Sequence, residues 1–290
     1  VVACAVLAAL GARAYLQPAK GKSSISIFAR TLALTERNYV IHNNMGVVLD
    51  REGRDDEAIS HYRASLAIEP GYPNSHHNLA IILSRQGKRD EAIAHEKQAL
   101  AAAPRYAEAH NNLGVLLAGN GQIADAVAHY RQALASRPDY AEAHANLGHE
   151  FLRAGRLDEA FADLARAVQI APTLVEAQAD LGTLLAAQGK FDESRRHLEE
   201  SLRLSPDQAD VHSNLAFVLL RLGQPDNAIA HCNDALKLKP DAVDAHYNLG
   251  MAHAAQGKTA EAIAEFTRVL ALNPRHADAR AALNRLQGSK

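Results

Sequence analysis

The chain has 290 residues, 48% of them hydrophobic, and its 31 basic side chains are balanced by 33 acidic ones. That balance excludes the one-sided basic excess of a dedicated nucleic-acid binder. With Cys4 and Cys232 as the two cysteines, neither a disulfide framework nor a cysteine metal site can be built, and the Ala- and Leu-rich remainder suits a helical protein.

The first element is apolar. "VVACAVLAAL" starts on Val rather than Met, which reads as a fragment or a processed product, and it lacks the basic n-region of a signal peptide. Extended through Leu16 it is still shorter than the ~20 residues that cross a bilayer. Two readings stand for residues 1–22: the end of a transmembrane helix with a linker, or a buried or disordered terminus. Arg13, Lys20 and Lys22 are placed as basic residues are at membrane edges. In residues 23–38, Phe28 and Leu32 fit the pattern of the second helices described below, which predicts an unpaired starting helix.

From residue 39 the chain repeats itself. Pro70, Pro104, Pro138, Pro172, Pro206, Pro240 and Pro274 stand 34 residues apart, and Gly53, Gly87, Gly121, Gly155, Gly189, Gly223 and Gly257 keep the same interval. Such a period means a stacked-repeat architecture. In residues 107–140, His110, Leu113, Gly114 and Leu117 form one helical stripe, and Gly121 ends that helix as a C-terminal cap. Ala126, Tyr130, Ala133 and Leu134 form the stripe of a second helix, stopped by Pro138. Acids such as Asp56 and Glu57 or Asp158 and Glu159 open the second helices, where they complement the helix dipole; copied along the chain, they are structural rather than catalytic.

This pattern resembles the tetratricopeptide repeat. In the unit from Ala107 the family's positions are Leu113, Gly114, Gly121, Ala126, Tyr130 and Pro138. The resemblance implies an all-α solenoid forming a right-handed superhelix. Seven units are expected, at 39–72, 73–106, 107–140, 141–174, 175–208, 209–242 and 243–276, with residues 277–290 as a C-terminal capping helix. Glu96, Leu164, Leu198 and Cys232 replace the family's aromatic residue. Glu96 is expected at an edge that reaches water. The unit at 175–208, with Ser194, Gln178 and Asp180, is the candidate weak interface.

One column does not belong to the stripe between paired helices. Asn44, Asn78, Asn112, Asn146, Asp180, Asn214 and Asn248 recur at a single register, about 200° round the helix from His110 at 100° per residue. In a superhelix of such repeats this face lines the concave groove. An asparagine amide both donates and accepts, so the column suits a peptide backbone; the alternative is that each Asn ties neighbouring repeats together. One turn away lie Val47, Ile81, Val115, Phe217 and Met251, interrupted by His149 and Thr183. Arg51, Arg85, Arg153 and Arg221 line one edge, and Glu108, Glu142, Glu176, Asp210 and Asp244 the other. This is a bed for an extended polypeptide. The lysine-and-asparagine clamp of relatives that grip chaperone C-terminal carboxylates is not apparent, since Asn43 and Val47 stand in its places.

Histidines also recur, at positions 42, 76, 110, 144, 212 and 246 and at 61, 95, 129, 197 and 231. Because each column repeats with the unit, they read as structural or solvated, and no metal or other cofactor is expected. "GNGQIA", residues 119–124, mimics a dinucleotide fingerprint but follows a helix rather than a strand.

The expected function is a scaffold that binds a protein or peptide partner, with no nucleic acid, no enzyme activity within these residues, and membrane contact through the N-terminal segment alone. The alternative is a substrate-recruiting tail. Residues 25–49 resemble the junction in membrane mannosyltransferase-like proteins, which carry a multispanning glycosyltransferase portion before such repeats, and the Asn column resembles the repeat region of O-GlcNAc transferases. That resemblance implies an extracytoplasmic solenoid, whereas the basic residues after Leu16 imply a cytoplasmic one. Membrane or cell-envelope association and a soluble cytoplasmic location both stand.

Overall fold

The computed structural model describes residues 21–35 and 37–288, and the apolar segment at 1–20 lies outside the described residues. The described residues form helices and connections, with no strand among them. A helix at Gly21–Leu34 comes first, and seven pairs follow, each made of an A helix and a B helix. In repeat 1 these are Tyr39–Arg51 and Asp55–Ile68; in repeat 2, Pro73–Arg85 and Arg89–Ala102; in repeat 3, Ala107–Gly119 and Ile123–Ser136. Repeat 4 pairs Ala141–Arg153 with Leu157–Ile170, and repeat 5 pairs Val175–Ala187 with Phe191–Leu204. Repeats 6 and 7 pair Ala209–Arg221 with Pro225–Leu238 and Val243–Ala255 with Thr259–Leu272, before a last helix at Ala277–Gly288. The architecture is an α-solenoid of helix-turn-helix repeats. The chain divides into two compact units, one ending at Pro138 and the other starting at Asp139.

The glycine ladder shapes each turn. At Gly53 the backbone is left-handed, with φ 72°. Its N–H donates to Asp50 O, while Arg54 N–H donates to Leu49 O. This is the Schellman pattern, which satisfies the last carbonyls of the A helix and favours a residue without Cβ. The same pair of bonds recurs at the other six turns, for example Gly257 to Ala254 and Lys258 to His253.

A second glycine sets how closely the paired helices approach. A Cβ on Gly114 would sit 2.5 Å from the Tyr130 ring, and one on Gly46 2.5 Å from the Tyr62 ring. Against Leu164 and Leu198 stand Gly148 and Gly182, again too close for a Cβ, and against Phe266 stands Gly250. Where the B-helix residue is Glu96 or Cys232, the A helix carries Ala80 or Ala216 instead. The large side chain fills the space that glycine leaves, so close packing is kept without a fixed residue pair.

The ends are covered. Phe28 of the first helix is buried with Ile41, Met45 and Tyr62 of repeat 1, and Ala279 and Ala282 of the last helix are buried with Phe266 and Val269 of repeat 7. These two helices seal the apolar faces that terminal repeats would otherwise expose. Among the described residues no helix is long and apolar enough to cross a membrane.

Candidate functional site: the A-helix face

The Asn column lies half-buried on the A helices, and its amides reach back to the preceding repeat. Asn78 donates to Asn43 Oδ1 at 3.0 Å, Asn214 to Thr183 Oγ1 at 3.0 Å, and the buried Asn248 to the Ser213 carbonyl at 3.0 Å. Asn112 donates to Glu96, and Asp180 accepts from His149 Nδ1 at 2.8 Å. Asn44 accepts from Asn43 Nδ2 at 3.4 Å within its own helix, and Asn146 is half-buried. A primary amide has two donors and two acceptor lone pairs, so one backward bond does not exhaust it.

The apolar column differs along the chain. Val47 and Ile81 are half-buried, and Val47 packs against the core of repeats 1 and 2. Val115 in the first unit, and Phe217 and Met251 in the second, are exposed by 43%, 38% and 37%. His149 is exposed, and its hydrogen bond to Asp180 raises its pKa above the ordinary imidazole value. Thr183 turns its hydroxyl to the Ala179 carbonyl.

The arginine column is anchored in several ways. Arg85 pairs with Asp50, and with Asp55 at 3.0 Å, while Arg153 approaches Glu150 at 3.7 Å. Arg51 is exposed. Arg221 lies over the Phe191 ring at 4.8 Å and the Phe217 ring at 6.0 Å, and those rings meet edge to face with centroids 6.3 Å apart. Phe191, on the B helix of repeat 5, escaped the sequence reading because its partners lie in the next repeat. On the opposite edge Glu108 pairs with Arg137, and Asp210 with Lys239 at 3.7 Å.

Glu96 corrects an expectation. It does not reach water: it is 0% exposed, with both carboxylate oxygens on His77 Nδ1 at 2.9 and 3.1 Å and a donor from Asn112. Burial pushes its pKa up, and the hydrogen bonds from His77 and Asn112 pull in the opposite direction. A buried carboxylate is tolerated because it has these partners. The 19-residue spacing of His77 and Glu96 was the available signal.

The same spacing joins the two histidine columns. His42–His61, His76–His95, His110–His129 and His212–His231 each meet Nδ1 to Nδ1 at 2.9–3.0 Å, across the A–B junction of one repeat. Elsewhere the pair becomes His144–Asp163, Gln178–His197 or His246–Glu265. The far nitrogen of the A-helix histidine latches the inter-repeat proline: His76 Nε2 donates to Pro70 O at 2.9 Å, His110 to Pro104 O at 3.1 Å, and His212 to Pro206 O at 3.0 Å. Gln178 does the same with its amide, at 2.7 Å from Pro172 O, and Ser194 donates to Gly182 O at 2.7 Å. The three polar residues singled out in repeat 5, Gln178, Asp180 and Ser194, are thus hydrogen-bonded.

A periodic helix-turn-helix solenoid with this face defines a repeat scaffold. Tetratricopeptide repeat models match residues 37–105, 116–174, 179–243 and 218–277. The chain belongs to the tetratricopeptide repeat family, whose fold is typically a non-catalytic scaffold for protein partners. Among solved structures it is similar to the APC/C hetero-tetramer Cut9-Hcn1, with a TM-score of 0.68 and 17% identity over 92% of this chain. It spans about half the length of that relative, covering 52% of it. It is also similar to PilF of Pseudomonas aeruginosa, with a TM-score of 0.63 and 21% identity over 75% of this chain and 97% of that one. A third similar structure is YrrB, described as a TPR protein with an unusual peptide-binding site, with a TM-score of 0.52 and 21% identity over 63% of this chain and 95% of that one. At such identities the likeness shows the fold alone. A comparison with curated proteins gave no match.

Proposed function

We propose that the A-helix face binds an extended peptide segment of a protein partner, making the chain an interaction scaffold. The observation that carries this reading is the exposed apolar column: Val115, Phe217 and Met251 stand outside the core at one register, when the intra-repeat stripes are buried. Within the second unit, Phe217 and Met251 on successive A helices, with Arg221 and Asp210 beside them, fit alternating apolar and charged side chains of a ligand. Packed helices stand about 8–10 Å apart, and an extended chain advances about 3.3 Å per residue, so successive A helices meet about every third ligand residue. The description of YrrB as peptide-binding is consistent with this use of the fold.

In the second unit the contact centres on Phe217, Arg221 and Met251. The cation–π arrangement holds Arg221 over the rings, leaving a flat apolar surface with a fixed charge at its edge. The test is selection from a displayed library of random peptides, followed by fluorescence anisotropy with the selected sequences. Selected peptides should carry apolar residues about three apart, and Phe217→Ala with Met251→Ala should weaken binding about tenfold or more, since buried apolar anchors dominate such interfaces. Undiminished binding to the double variant, with helical content unchanged, would sink the reading.

A further inference from the structure

We propose that His212, His231 and Asp234 form a binding site for a borderline divalent transition metal of the Zn2+ type, at the A–B junction of repeat 6. Their ligating atoms all lie within 4.8 Å of one another. His212 is buried, and its Nε2 donates to Pro206 O at 3.0 Å. That bond fixes the tautomer and leaves Nδ1 as a bare lone pair, which is how protein carbonyls prepare metal-ligating imidazoles. The lone pair faces His231 Nδ1 at 2.9 Å. Asp234 follows His231 by three residues on the same helix, so both project from one face.

An ion between the rings takes the place of the shared hydrogen. His231 then carries its proton on Nε2 instead of Nδ1, so a neutral pair exchanges a hydrogen bond for two metal–nitrogen bonds without net proton release. Zn–N bonds of about 2.0–2.1 Å in a tetrahedral site set the two nitrogens about 3.3 Å apart, so the rings need to open by about 0.4 Å from the 2.9 Å observed. One carboxylate oxygen of Asp234 is held by Lys237 Nζ at 2.8 Å. A carboxylate has about four lone-pair sites, so it can also face the ion, and water fills the fourth position. Two imidazoles and one carboxylate suit Zn2+, Co2+ or Ni2+ rather than Mg2+ or Ca2+.

The other repeats explain why the site falls here. Repeats 1, 2 and 3 have histidine pairs, but the register of Asp234 holds Ala64, Gln98 and Gln132 there. Repeats 4 and 7 have Asp163 or Glu265 in place of the second histidine, already bonded to the first. Among the described residues, repeat 6 joins two histidines to a carboxylate.

The experiment is Co2+ titration of the full chain, followed by its visible d–d absorption, with Zn2+ titration calorimetry in parallel. One saturable equivalent is expected. Asp234→Asn and His231→Gln should each weaken it by about tenfold or more, an effect reached even by outer-shell partners. His95→Gln, in a pair that lacks the carboxylate, should leave it unchanged. The proposal is overturned if no saturable site appears, if Asp234→Asn binds as the wild type does, or if His95→Gln removes as much binding as His231→Gln. Should His231→Gln lose helical content by circular dichroism, Asp234→Asn decides, because its partly exposed side chain has no part in the helix pairing.

Discussion

At one register the two compact units share a backbone and differ in chemistry. Where the A helix meets the B helix, repeats 1 to 3 of the first unit hold His42–His61, His76–His95 and His110–His129. In the second unit repeats 4, 5 and 7 use His144–Asp163, Gln178–His197 and His246–Glu265, and repeat 6 returns to His212–His231. A histidine pair needs one bare nitrogen, so it holds at most one proton before two donors and two charges face each other. A histidine–carboxylate pair strengthens when its histidine is protonated. Geometry is therefore maintained by the repeat, while the response to protons is written separately into each unit.

The largest effect is expected from the packing of the paired helices. Both units match glycine with a large residue, as in Gly114 with Tyr130 and Gly250 with Phe266. Tyr130→Cys, the residue that repeat 6 uses, should cost about 3 kcal/mol as a large-to-small core change. Gly114→Ala alone should cost about 1–3 kcal/mol by overpacking. Combined, the two reproduce Ala216 with Cys232, and the alanine should now stabilise. Urea unfolding of the four proteins measures the cycle. If Gly114→Ala changes stability by the same amount in both backgrounds, the two positions are not coupled, and glycine is not kept there to make room for the large residue.

The proton response comes next in size. Burial lowers the pKa of His42, and lowers those of His61, His95 and His129 together with the charge of the paired histidine. In the second unit burial lowers His197 and His231, while Asp180 raises His149. A lowered pKa means that the unfolded chain takes up protons first, so stability falls as pH drops through the unfolded value of about 6.5 toward the folded one. His149 has the opposite sign: its contribution is complete below the unfolded value and is lost as pH rises through its folded pKa. With lowered histidines in each of its three repeats, the first unit is expected to lose stability in acid. Around His95 and His129 the facing charges are Glu91 with Arg63 and Asp125 with Lys97, and around His61 it is Glu57. Glu96 opposes the trend, because burial raises its pKa and its contribution falls as pH rises above the usual carboxylate range; a Glu96→Gln background removes it. Hydrogen exchange at pH 7.5 and 5.5 should show protection lost first in repeats 1 to 3. His95→Asp, which copies repeat 4, should protect repeat 2 against acid. Equal losses in both units would show that the paired histidines do not set the acid response of repeats 1 to 3.

Periodicity explains what the sequence made legible. The turns, the paired helices and the columns were readable because each position is written seven times at 34-residue spacing. Contacts between histidine columns at a fixed offset inside a unit were not, since two columns that repeat together do not disclose that they touch, and the His77–Glu96 pair, at the same 19-residue offset, stands outside both columns and occurs only once. Contacts that reach the next repeat, such as Phe191 with Phe217, were hidden for the same reason. The division after Pro138 leaves no trace in a pattern of near-identical units.

The smallest effect tests the Asn column across the two units. In the first, Asn78 donates to Asn43 Oδ1, which also accepts from Ser75 at 3.1 Å; in the second, Asn214 donates to Thr183. Each hydrogen bond contributes about 0.5–1.5 kcal/mol. Asn78→Ala should lie near the lower end, because Asn43 Oδ1 retains the Ser75 hydroxyl as a donor, and Asn214→Ala should lie higher because it takes from the Thr183 hydroxyl oxygen the amide that donates to it. If the column also holds a ligand backbone, affinity for an extended peptide should fall beyond the change in stability, and by a similar factor for different peptide sequences, since the lost contacts are to main chain. Melting temperature and anisotropy on both variants separate these effects. Affinity unchanged after correction for the unfolded fraction would make the asparagines spacers between repeats, with ligand contact left to the exposed apolar column beside them.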